Sequence, residues 1–175
     1  MTKFNLGLTI VAAGLAAQGA TAVAQSKRHP SSDVVPADLE RLRGPNKPPG
    51  AVYLGRQQHP SVGDTSLPLE NVEVYQFSVR SRRGLLIPVN WTYVPEGGTF
   101  MWGNAPLQCE DGSVISNGSY GMRIRDNGTG GYLLGSNRCE TGQVFGCQFD
   151  AKGTETACGA CAWNAAGDVA CTPHQ

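Results

Sequence analysis

Histidine is nearly absent from this sequence: His29, His59 and His174 are the only three among 175 residues. Proton transfer near neutral pH draws on imidazole more than on any other side chain, so the shortage narrows the enzymatic options before any motif is sought. His29 and His59 both precede prolines, in RHPSS and QHPSV, turn-like stretches where a surface histidine is ordinary. A small secreted ribonuclease-type hydrolase would need a base, an acid and a cation converging on phosphate. His59, Glu73 and Arg80 are the trio that could be assembled, and nothing in their spacing singles them out. Neither Gly-x-Ser-x-Gly, His-Glu-x-x-His nor a Cys/His protease signature occurs. No catalytic residue is assigned, and the expectation is a protein that is not an enzyme.

Charge of one sign is also lacking. Fourteen Lys and Arg balance fourteen Asp and Glu, which argues against nucleic-acid binding by bulk electrostatics. The cations are unevenly spread: residues 25–83 carry nine basic and six acidic side chains, residues 84–175 four and eight. The tightest cluster is RSRR, with Arg80, Arg82 and Arg83. It reads either as an import or phosphate-contacting patch or as the solvated turn at the end of a strand.

Long apolar runs are missing after the first residues, so no membrane span is expected. The start itself, MTKFNLGLTIVAAGLAAQGATAVAQ, has one cation at Lys3, an apolar run from Leu6 to about Ala17 and small residues at Ala22-Val23-Ala24. That order is the pattern of a secretory signal peptide over residues 1–24, cut before Gln25. Just beyond it, Lys27-Arg28 resembles a dibasic processing site of the fungal Golgi type. Asn90, Asn117 and Asn127 head three Asn-x-Ser/Thr sequons and are glycosylation candidates.

Aromatic residues are absent from 25–49, a stretch dense in Pro, Ser and charge that reads as a disordered linker or propeptide. One short helix fits inside it, with Pro36 in its first turn, Leu39 and Leu42 on one side and Gly44 as its stop, and it would form only if docked. From residue 50 the pattern changes to short β-type runs at 51–55, 72–79, 85–94, 99–103, 120–125, 132–135 and 143–149. Tyr75, Phe77 and Val79 share one face of their run, and Val72 and Val74 the other. In YGMRIR, Tyr120, Met122 and Ile124 read as inward, Arg123 and Arg125 as outward. Turn signals lie between the runs: PEGG, EDGS, SNGS, DNGTGG, DAKG and AAGD. Residues 50–175 thus read as one all-β domain, a small disulfide-stabilised barrel or sandwich.

No cysteine precedes residue 109. Cys109, Cys139, Cys147, Cys158, Cys161 and Cys171 all fall in the last 67 residues. An even count in a secreted chain implies three disulfides, with fifteen pairings open. The tail CGACAWNAAGDVACTPHQ permits another use: Cys158, Cys161, Cys171 and His174 form two short ligand pairs around a loop, the format of a tetrahedral zinc site. An oxidising route favours disulfides, with Cys158, Cys161 and Cys171 each pairing elsewhere in the cysteine-rich half and no cofactor bound.

The combination of leader pattern, Pro-rich segment with Lys27-Arg28, Gly-rich β domain and even cysteines resembles the small secreted cysteine-rich proteins that plant-associated fungi use as effectors. The resemblance implies a secreted virulence protein that binds a host protein or cell-wall glycan. The alternative is an effector directed to the host nucleus, with zinc in the Cys/His cluster and DNA as partner. A wall or matrix protein of the secreting organism is a third, structural option.

Overall fold

The computed structural model describes residues 34–58, 71–109, 111–136, 138–139 and 144–173. The expected signal segment, Lys27-Arg28, His29, His59 and His174 lie outside them. The chain is all-β, as expected. Nine strands, β1 (Val52–Gln58), β2 (Asn71–Arg80), β3 (Leu86–Val94), β4 (Gly98–Gln108), β5 (Val114–Ile124), β6 (Gly130–Gly135), β7 (Val144–Phe149), β8 (Glu155–Trp163) and β9 (Val169–Pro173), form one antiparallel meander in sequence order. Among the described residues β1 and β9 share no ladder, so the sheet rolls without closing by hydrogen bonds.

The turns explain why so many short strands follow one another. Five hairpins close over the same five-residue pattern, at 81–85, 109–113, 125–129, 150–154 and 164–168. In each, the first amide donates to the last carbonyl and the fourth residue's amide donates to the first carbonyl. The fourth residue is always glycine, at φ between 71° and 88°, the left-handed conformation this bulged turn requires. SNGS is different: it lies inside β5, not in a turn. Gly118 is there because a Cβ would sit 2.8 Å from the Leu107 Cβ, where β4 bulges between Ala105 and Leu107.

Register lines up one apolar row across the sheet: Tyr75, Trp91, Met101, Met122, Tyr132 and Cys147 each lie opposite the next. Met101, Met122, Tyr132 and Cys147 are fully buried, which a single sheet achieves only by rolling this face inward. The roll brings the β2–β3 turn to the β7–β8 turn, with Arg82 Nη2 donating to the Gly153 carbonyl at 2.6 Å.

The leader fills the remaining gap. Val34, Val35 and Leu42 are buried in the main core, so the packed unit includes residues whose composition reads as a linker. Pro36 bridges Ser81, the Arg82 amide donates to the Val35 carbonyl, and Trp91 Nε1 donates to the Leu42 carbonyl at 3.2 Å. The short helix anticipated between Pro36 and Gly44 is a single 3-10 turn, Glu40–Leu42, docked through Leu42.

The second face of the sheet is also covered, and here the structure corrects the expectation for Arg123. It is 2% exposed rather than outward, because the β8–β9 hairpin folds over this face. Arg123 Nε donates to the Gly97 carbonyl at 2.8 Å and Nη1 to the Ala166 carbonyl at 2.7 Å, with the guanidinium 5.0 Å from the Phe100 ring centre. Arg125 makes a two-pronged contact with Asp168 at 2.7 and 2.8 Å.

All six cysteines are in disulfides: Cys109–Cys139, Cys147–Cys158 and Cys161–Cys171. The tail is not a coreless segment pinned to distant partners. It forms β8 and β9, and Cys161 and Cys171 join each other directly across that hairpin.

Candidate functional site

At the β1 edge the inward face runs out to solvent. The roll buries the row from Trp91 onward, whereas Tyr75 is half-buried and Tyr53 is 51% exposed. The leader turns away after residues 45–47, leaving a cleft of about 530 Å³ lined by Lys47, Arg56, Asn71, Glu73, Tyr75 and Tyr93, with Trp91 in its wall.

Alternation places each of these side chains. Glu73, Tyr75 and Phe77 project to the same face of β2, and Trp91 and Tyr93 to that face of β3. The Tyr53 and Tyr75 rings are 5.3 Å apart and tilted by 49°, and Trp91 meets Tyr75 edge-on at 6.0 Å. Lys47 Nζ stands 5.2 Å above the Tyr75 ring centre. Arg56 lies 3.9 Å from Glu73, whose other carboxylate oxygen accepts from the Tyr75 hydroxyl at 3.3 Å. At the far end the Tyr93 hydroxyl donates to Asp126 at 2.9 Å.

Both phenols stay protonated. Desolvation, and then the Glu73 charge, raise the Tyr75 pKa above its ordinary value; the hydrogen bond to Asp126 does most to raise that of Tyr93. The cleft therefore offers neutral rings, with Lys47 over Tyr75, the Arg56–Glu73 pair beside it and Asp126 at the Tyr93 hydroxyl. Such a surface suits a ligand with an apolar face and a polar rim.

The other sequence candidates fall elsewhere. Arg80 ends β2 and donates to the Gly84 carbonyl, while Arg82 and Arg83 sit in the following turn, where Arg82 contacts Gly153 and Glu155. Glu73 and Arg80 lie seven residues apart on opposite faces of β2, about 20 Å along the strand. The hydrolase trio is not brought together, and its third member, His59, lies outside the described residues.

Within the zinc set, Cys158 and Cys161 point to opposite faces of β8 and bond to Cys147 and Cys171, and His174 is not described. Cys147, Glu155 and Cys158 do gather their sulfur and oxygen atoms within 4.8 Å, but both sulfurs belong to one disulfide. Asn117 and Asn127 are exposed. Asn90 is half-buried in β3, and the threonine of its sequon, Thr92, is fully buried with its hydroxyl on the Glu73 carbonyl.

Sequence reasoning missed the cleft. Lys47 lay in the segment read as a linker, and Tyr75 was read only as sharing one strand face with Phe77 and Val79. The usable signal was Glu73, an acid two residues before Tyr75 on that apolar face, marking where burial ends.

Comparison with known protein families, curated proteins and solved structures finds no match to this chain. No helix among the described residues is long and apolar enough to cross a membrane. Three disulfides fit an extracellular or secreted protein.

Proposed function

We propose that this chain is a secreted effector that acts by binding rather than catalysis, and that its ligand is a cell-wall glycan held in the cleft between the leader and β1–β3. One observation carries the reading: the half-buried Tyr75 and Tyr93 rings line a cleft rimmed by Lys47, Arg56, Asn71 and Glu73. A pyranose presents an apolar C–H face to such rings and directs its hydroxyls to the surrounding donors and acceptors. The disulfides and the leader pattern support delivery through an oxidising route. The nucleus-directed zinc alternative is less supported, because Cys158, Cys161 and Cys171 are all held in disulfides.

The test is retention of the disulfide-intact chain on insoluble wall polysaccharides, compared with Tyr75→Ala and Tyr93→Ala. The reading predicts retention that both variants lose while their circular dichroism is unchanged. Lack of retention on every polysaccharide, or retention indifferent to both substitutions, would overturn it. Enrichment of a single host protein in place of a glycan would transfer the cleft to a protein partner.

A further inference from the structure

The cleft is electrically lopsided, and the lopsidedness names a class of glycan. Arg56 and Glu73, both more than half exposed, lie 3.9 Å apart and offset each other's charge. Asp126 approaches from the β5–β6 turn, and its carboxylate accepts from the Tyr93 hydroxyl. Lys47 is different: among the described residues no carboxylate pairs with it, and its ammonium is held over the Tyr75 ring. Lys47 thus stands over Tyr75 with no carboxylate partner among the described residues, while Glu73 at the Tyr75 hydroxyl and Asp126 at the Tyr93 hydroxyl supply acceptors.

We propose that the site selects a uronate-bearing polysaccharide, with a sugar ring packed in the cleft beside Tyr75 and Tyr93, its carboxylate on Lys47 where that side chain stands over Tyr75, and its hydroxyls donating to Glu73. The proposal rests on the glycan reading above and deepens it. A neutral sugar could use the rings and Glu73 but would offer Lys47 no charge to pair with. A uronate uses both Lys47 and Glu73, because its pyranose bears the carboxylate on one edge and hydroxyl donors on the other. Backing by the aromatic face keeps Lys47 aligned, so its contribution exceeds that of a freely moving surface lysine.

The experiment is calorimetric titration of the disulfide-intact chain with hexagalacturonate, with cellohexaose and with polyaspartate as a non-sugar polyanion. Hexagalacturonate is expected to bind most tightly. Lys47→Gln should weaken it by about three- to tenfold and weaken cellohexaose markedly less, and Lys47→Arg should restore most of the loss. Lys47 is exposed, so these variants keep the fold. If cellohexaose binds as well as hexagalacturonate and Lys47→Gln changes neither, the acidic preference is wrong and the glycan reading stands. Equal binding of polyaspartate would reduce the site to non-specific attraction and overturn the proposal. If neither sugar binds, both readings fall together.

Discussion

Arg123 is buried where the β3–β4 and β8–β9 turns meet, and replacing it with methionine isolates its charge from its bulk. The substitution removes two charge-assisted hydrogen bonds, to the carbonyls of Gly97 and Ala166, which join the β3–β4 turn to the β8–β9 turn. Each is worth about 1.5–3 kcal/mol, and the contact with Phe100 adds about 0.5–2 kcal/mol. The ion pair with Asp168, at 3.6 Å, adds little because that carboxylate is 35% exposed. Methionine escapes the guanidinium's desolvation cost, which offsets part of the loss. The net expectation is destabilisation by about 3–5 kcal/mol, a large share of the roughly 5–15 kcal/mol typical of a domain. Urea unfolding followed by tryptophan fluorescence measures it, with Arg125→Ala as the comparison. Arg125 meets the same Asp168 but is 34% exposed, and its loss should cost about 1 kcal/mol or less. An Arg123→Met cost below that of Arg125→Ala would refute the clamp.

The disulfides close three consecutive, non-overlapping loops with sequence separations of 30, 11 and 10. Chain entropy assigns them about 3.6, 2.8 and 2.7 kcal/mol, so full reduction should unfold the chain without denaturant. A reduced chain with an unchanged urea midpoint would contradict this. A chain beginning at His29 should melt at the same temperature as the full mature form. One beginning at Gly50 loses Val34, Val35 and Leu42, each worth about 1.5–3 kcal/mol of burial, and should melt far lower or aggregate. Arg125's hydrogen bonds to Asp168, aided by the charges of Arg125 and Arg123 and partly opposed by desolvation, hold its carboxyl below the ordinary 3.8. The unfolded chain therefore binds that proton first. The group's contribution is complete above about pH 4 and is lost as pH falls through the lower folded value, so acid titration of the urea midpoint should show a decline confined to that range.

Where large apolar residues alternate, the strands were legible in the sequence. VEVYQFSV and LLIPVNWTYV fall within β2 and β3 to about a residue, because both alternate large apolar side chains. β8 was not legible: ETACGACAW offers alanines, glycine and cysteines, and its pairing is secured by disulfides on both of its neighbours. Alternation also assigned Arg123 to solvent, since period two says which face a residue takes and not whether that face is wet. Burial of Val34 and Val35 was hidden by their polar surroundings, because two valines carry no periodicity. The cleft shared this difficulty: Lys47 and Tyr75 meet only through the leader's path across the sheet, which no local pattern encodes.

The central claim, that the β1-edge cleft binds a glycan, is tested most directly by a backbone amide NMR titration of the disulfide-intact chain with soluble wall oligosaccharides. The account predicts shifts grouped at Lys47, Arg56, Glu73, Tyr75 and Tyr93, with the turn at 150–153 unaffected. Shifts centred instead on the cavity between the leader and that turn, around Arg43 and Lys152, or no shifts with any oligosaccharide, would contradict it.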